Sequence, residues 1–229
     1  VSMIFNPIHS SSSANLYTLE SDTSIIIDPG LSGAALKKAM NHKLTSYTGC
    51  LITHSHPDHS KGWKDVVSAG VDLYVTEETT QKINAKHHRI HIIEPLKQFT
   101  IGEWIILPFK TQHDCPGSVG FLIEKDDEKL VFITDSYYCK YKFKGLTHIC
   151  IECNWSHTTL TPNIDYSLKQ RLFYSHFNLE RVSEFLMEND LSLVKEIHLM
   201  HLSDKNSDEK MFKRTIQELT GKPTFVCKK

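Results

Sequence analysis

The chain has 229 residues and no apolar run near the ~18–20 residues that a membrane-crossing helix requires. A helical membrane span is therefore excluded. Charge of one sign is also missing. The 26 basic and 27 acidic residues leave a formal charge of −1, so no global field draws the protein to nucleic acid or to an acidic membrane. A phosphate-bearing partner would need a local basic surface or a metal. The opening stretch, VSMIFNPIHSSSS, lacks the charged region and long apolar run of an export signal. The six cysteines are scattered, and reduced thiols in a cytoplasmic protein are the expectation. Cys150 and Cys153 form a Cys-x-x-Cys pair within an alternating, strand-like run, where side chains three apart face opposite sides. With no second pair nearby, they read as structural. Repeats, low-complexity tracts and Pro/Gly-rich linkers are absent, so residues 1–229 are expected to form one domain.

What is present in excess is histidine, at fourteen residues. Short apolar runs alternate with amphipathic segments along the chain. SMIFNPI, NLYTLE and SIIID read as strands, SGAALKKAMNH as a helix with Ser32 at its N-cap, and GCLIT as a buried strand. KGWKDVVSAG reads as a helix ended by Gly70. DLYVT, HRIHII, FTIGEWIILPF, SVGFLIE, KLVFIT and HICIEC read as strands, with EETTQKINA a short helix. Helices are expected around Ile164–Leu172 and Leu179–Glu188. The strand EIHLMH follows, then a helix with Met211, Phe212, Ile216 and Leu219 on its apolar face, then the strand TFVC. Grouped strands interspersed with helices suggest two sheets with helices outside.

The segment LITHSHPDHSKG concentrates the chemistry. His54, His56, Asp58 and His59 follow a short strand, and Pro57 discourages helix for the residue before it. A strand end that turns sharply can aim His54 and His56 at one point, and Asp58 and His59 at a second. Imidazole nitrogen and carboxylate oxygen are ligands of zinc, manganese and iron. Solvated histidines in a polar loop are the alternative, but every residue of His-x-His-x-Asp-His except Ser55 and Pro57 is a ligand type. Three more candidates stand where strands end: His113 in PFKTQHDCPGS, Asp135 in LVFITDS and His201 in EIHLMHLSDKN. A sheet holds such positions rigidly.

This order of ligand types resembles the metallo-β-lactamase superfamily, over nearly the whole chain. The resemblance implies an α/β protein with the αββα four-layer sandwich and a two-metal site. It assigns His54, His56 and His113 to one divalent ion, and Asp58, His59 and His201 to the second, with Asp135 bridging. HSSSSANLYTLE, IIIDPGLS and MHLSDKN resemble motifs of the YycJ (WalJ) exonuclease group, as does YSHFNLERVSEFL, with Phe177 and Asn178 in place of Leu and Ser. In IECNWSH, Trp155 and Ser156 stand where the group has His and Asp. Members of that group resemble nucleases, so a nucleic-acid substrate is expected.

Two metals about 3.5–4 Å apart can share a hydroxide that attacks a phosphodiester. Asp58 and His176 are the expected catalytic residues, His176 contacting a phosphate oxygen or protonating the leaving alkoxide. Ser11 and Ser12, in a small-residue loop, could bind phosphate oxygens; a simple polar turn is the other reading. In KYKFKG, Lys140 and Lys142 alternate with aromatics, which suits backbone contact with nucleic acid as well as a solvated strand edge. KHHRIH, with His87, His88 and His91, reads as surface. The ligand atoms admit Zn²⁺ or Mn²⁺, and also Fe²⁺. A small-substrate hydrolase (cyclic phosphodiester, thioester or lactone) and a non-catalytic metal-binding module remain alternatives.

Overall fold

The computed structural model describes residues 2–162 and 164–227. They form two compact units. The first runs through Lys110 and includes Cys115–Val119; the second comprises Thr111–Asp114 and Gly120–Cys227.

In the first unit, β1 (Ile4–Ser11), β2 (Ala14–Glu20), β3 (Ser24–Ile27), β4 (Gly49–Leu51), β5 (Asp72–Val75) and β6 (Ile90–Ile92) form one sheet in that spatial order. The first three strands pair antiparallel, and β3 to β6 run parallel. A parallel neighbour cannot be reached by a tight turn, so helices make the crossovers. These are α1 (Gly33–Ala39), then α2 (Pro57–Ser60) with α3 (Trp63–Ser68), and α4 (Glu77–Lys82). Leu36, Met40, Trp63 and Val66 join Leu16, Ile26, Cys50 and Leu73 of the strands in one core. Gly70 takes φ +85° just past α3, the left-handed stop expected of it. The run FTIGEWIILPF divides in two, because Gly102 at φ +56° turns the chain between β7 (Phe99–Ile101) and β8 (Trp104–Lys110).

The strands of the second unit lie in the order β13 (Thr224–Val226), β12 (Glu196–Met200), β11 (His148–Glu152), β10 (Glu128–Ile133), β9 (Val119–Lys125). The β9–β10 pair is an antiparallel hairpin, and β10 to β13 run parallel. Every residue of β11 is buried, the pattern of a central parallel strand. The helices are α5 (Tyr166–Ser175), α6 (Leu179–Met187) and α7 (Glu209–Thr220). α6 starts at Asn178, whose side chain accepts the Arg181 amide proton, and buries Val182, Phe185 and Leu186 as its spacing predicts. α7 buries Phe212 and Ile216 but leaves Leu219 41% exposed, so its apolar face is narrower than the sequence implies. Among the described residues no helix is long and apolar enough to cross a membrane.

Candidate functional site

Ligand-type side chains gather where parallel strands end, which is where open α/β sheets bind ligands. In the first unit, β3 delivers Asp28 and β4 leads to Thr53 and His54. Asp28 is fully buried and sits at φ +55°. Its carboxylate accepts the Thr53 backbone N–H at 2.8 Å, the Thr53 hydroxyl at 2.8 Å and His59 Nδ1 at 2.8 Å. With Nδ1 committed to Asp28, His59 turns Nε2 toward Asn15 Nδ2 at 3.0 Å and Asp58 Oδ2 at 3.3 Å. A carboxylate behind an imidazole fixes its tautomer and orientation, as at metal-ligating histidines. His54 is held at Nδ1 by the Thr53 hydroxyl, 3.0 Å away, and its Nε2 lies 3.0 Å from His56 Nδ1.

Pro57 supports the shape of this segment. It occupies the first position of α2, where its missing N–H costs nothing, so the short helical turn carries Asp58 and His59. Gly30 supplies the space. A Cβ there would fall 1.8 Å from the Asp58 carbonyl oxygen and 2.7 Å from the Asn15 nitrogen, so only glycine lets the Asp28-Pro29-Gly30 turn pass beneath the histidine segment.

In the second unit the strand ends of β10, β11 and β12 carry Asp135, Glu152 and His201. Asp135 and His201 take φ +42° and +52°. Such left-handed conformations are uncommon outside glycine and gather at functional sites. Asp135, Glu152, His176 and His201 are all buried, and each offers a ligand atom within 4.8 Å of the others.

Glu152 is the hub. Its Oε1 accepts His176 Nδ1 at 2.6 Å and His201 Nδ1 at 2.8 Å; its Oε2 accepts the backbone N–H groups of Ser136 and Phe177, both at 3.1 Å. Burial alone would push the Glu152 carboxyl up and the His176 imidazole down. The charge and hydrogen bond between them win, holding Glu152 below its ordinary range and His176 above its own. His201 Nδ1 also lies 3.3 Å from Asp135 Oδ1. His113 has a buried side chain, with Nδ1 3.1 Å from the Ser175 carbonyl and Nε2 3.8 Å from Asp135 Oδ2.

The donor sets of both units fit divalent cations. They combine imidazole nitrogen with carboxylate oxygen, and neighbouring donor atoms lie 3.0 Å apart at His54 Nε2 and His56 Nδ1, 3.3 Å at His59 Nε2 and Asp58 Oδ2, and 3.8 Å at His113 Nε2 and Asp135 Oδ2. Bonds of about 2.0–2.1 Å arranged tetrahedrally require donor spacings of that order. Two buried carboxylates, Asp135 and Glu152, beside each other also call for compensating positive charge.

Asp28 and Glu152 stand out in the sequence only as parts of motifs. The rule that singles out Asp135, an acid directly off an apolar strand, applies equally to SIIID and HICIE. Where the group has His and Asp, Trp155 is buried and the Ser156 hydroxyl donates to Glu180 Oε1 at 2.8 Å. The Ser11 hydroxyl accepts the Ser13 and Ala14 amides of its own hairpin, and Ser12 is exposed at the tip. Residues 140–145 form no strand, yet the alternation holds: Lys140, Lys142 and Lys144 are exposed and Phe143 is buried. Lys142 Nζ lies 3.7 Å from Glu188. His87, His88 and His91 are exposed, as expected of a surface segment, and His91 Nε2 lies 3.6 Å from Asp72.

A family model described as the beta-lactamase superfamily domain matches residues 23–188. The chain belongs to this superfamily. The fold class expected from the sequence, the α/β metallo-β-lactamase fold, is the one found. The metallo-β-lactamase fold protein YhfI from Bacillus subtilis superposes with a TM-score of 0.77 at 16% identity, covering 100% of this chain and 98% of that one. Human tRNase Z, short form, gives 0.65 at 13% identity over 87% of this chain and 93% of its own. A curated relative, exodeoxyribonuclease YycJ of Bacillus anthracis, is 26% identical over 242 residues, covering 96% of this chain and 90% of the relative.

Proposed function

We propose that the protein is a metal-dependent phosphodiesterase that acts in the cytoplasm as a nuclease on DNA or RNA. In this reading His54, His56, Asp58, His59, His113, Asp135 and His201 hold two divalent cations, zinc or manganese. The observation that carries it is the near full-length similarity to a protein named as an exodeoxyribonuclease. Such cations supply Lewis acidity and lower the pKa of water, so phosphodiester hydrolysis can run near neutral pH.

The chain's own residues have distinct tasks. Asp28 presents His59 through Nε2, and Thr53 presents His54 through Nε2. Glu152 does the same for His201 and also aligns His176. Because Glu152 raises the affinity of His176 for a proton, His176 keeps a donor for a phosphate oxygen or a departing alkoxide. Asp58, at 3.3 Å from His59 Nε2, is the acidic partner of the first unit's ligand set.

The test is turnover by protein loaded with Mn²⁺ or Zn²⁺ on 5′-labelled DNA and RNA, beside bis(p-nitrophenyl) phosphate and a thioester panel. Cleavage of a labelled strand is expected. Absence of cleavage with metal bound, or preference for the thioester, overturns the reading.

A further inference from the structure

Two stretches of the second unit stand apart in composition. Residues 136–145, SYYCKYKFKG, and 166–175, YSLKQRLFYS, contain five basic residues and no acid, in a chain whose acids slightly outnumber its bases. They also hold seven of the chain's aromatic residues. The structure fastens them together. Tyr137 and Tyr174 meet edge to face, with centroids 6.2 Å apart. Arg181 donates to the carbonyls of Tyr137 and Phe173 and lies 5.3 Å from the Tyr137 ring.

The backbone is anchored as well. The Ser136 hydroxyl donates to the Tyr138 carbonyl at 2.8 Å, and the Tyr137 amide donates to Gln112. On this anchored frame Tyr138 remains 50% and Tyr174 61% exposed. Both lie beside the site in the chain: Tyr138 follows Asp135 by three residues, and Tyr174 precedes His176 by two. Arg171, also exposed, is three residues before Tyr174 on α5 and so shares its surface.

We propose that Tyr138 and Tyr174, with Lys140, Lys142 and Arg171, form a stacking platform for a single-stranded polynucleotide. The inference rests on the nuclease reading and narrows its substrate class. Aromatic rings interleaved with cations bind single strands without regard to sequence, the rings taking base faces and the cations the phosphates. A paired duplex hides its base faces, so it gains only from charge neutralisation. A protein partner would use the tyrosines but has no general need for two stretches whose every charged residue is basic. Glu188, 53% exposed and 3.7 Å from Lys142, makes an exposed pair that contributes little.

The experiment measures binding of a hydrolysis-resistant phosphorothioate oligothymidylate to the metal-loaded protein by fluorescence anisotropy. Tyr138→Ala and Tyr174→Ala are each expected to weaken binding about 5- to 50-fold, while Tyr138→Phe and Tyr174→Phe retain it. The triple variant Lys140→Ala, Lys142→Ala, Arg171→Ala should flatten the dependence of log affinity on log salt by about 0.7 for each phosphate that is no longer neutralised. Alanine variants that bind like the parent, phenylalanine variants as weak as alanine, or an unchanged salt slope overturn the proposal. Cleavage is scored separately on the parent. A protein that binds through these tyrosines without cutting keeps the platform and loses the nuclease; one that cuts while the alanine variants bind normally does the reverse.

Discussion

The two units arrive at similar donor sets by opposite routes. In the first, three histidines and one aspartate fall within six residues, from His54 to His59, and one buried acid from a neighbouring strand, Asp28, steadies them. In the second, His113, Asp135, Glu152, His176 and His201 come from five separate segments, and a single carboxylate binds two imidazoles and two backbone amides. The first set is made by local chain geometry, the second by the register of parallel strands. Damage to the hub should therefore spread through the second unit, while damage to Asp28 should stay local.

Substitutions can break or sharpen this contrast. The largest effect is expected for Asp58→Ala: hydrolysis is abolished while far-UV circular dichroism and the thermal transition persist, because Asp58 is partly exposed and holds no core together. Chelation of the metal should abolish activity in the same assay, and adding Mn²⁺ or Zn²⁺ should restore it.

Glu152→Gln comes next. It keeps the shape but removes the charge beneath two histidines, and metal affinity or activity should fall about 10- to 100-fold. Stability should fall by about 3–5 kcal/mol, the scale for breaking a buried ionic interaction, read from urea unfolding. Asp28→Asn should cost a similar 10- to 100-fold in metal affinity with a smaller loss of stability, because it orients one imidazole rather than two. Equal unfolding losses for the two variants would erase the distinction between hub and local brace. The smallest effect is expected for Asn178→Ala, which removes the α6 cap and a 3.5 Å contact to His157 Nε2 and should cost about 1 kcal/mol with metal content unchanged by elemental analysis.

The same contrast explains what is legible in the sequence. The compact motif stands out because local patterns survive in one dimension. Asp135 and His201 are readable because each ends an apolar strand. Glu152 is harder to place: its role depends on β11 lying between β10 and β12, a long-range pairing that no local spacing encodes. Periodicity reveals the strand runs and α6. It does not reveal the split of FTIGEWIILPF, because one glycine at positive φ makes a hairpin from a run that alternates like a single strand. The short helix α2 is hidden because Pro57 signals a break for the residue before it, while also starting a turn of its own.

Asp28, Asp135 and His201 share a left-handed backbone at the tips of parallel strands. Each such residue carries about 1–3 kcal/mol of conformational cost, met by the sheets that hold the strands. A backbone held in this way is preorganised, so loading of the proposed metal site is expected to be limited by the ion shedding its own water rather than by rearrangement of the chain. Stopped-flow loading that varies with the identity of the ion, and little with solvent viscosity, is the signature of that regime.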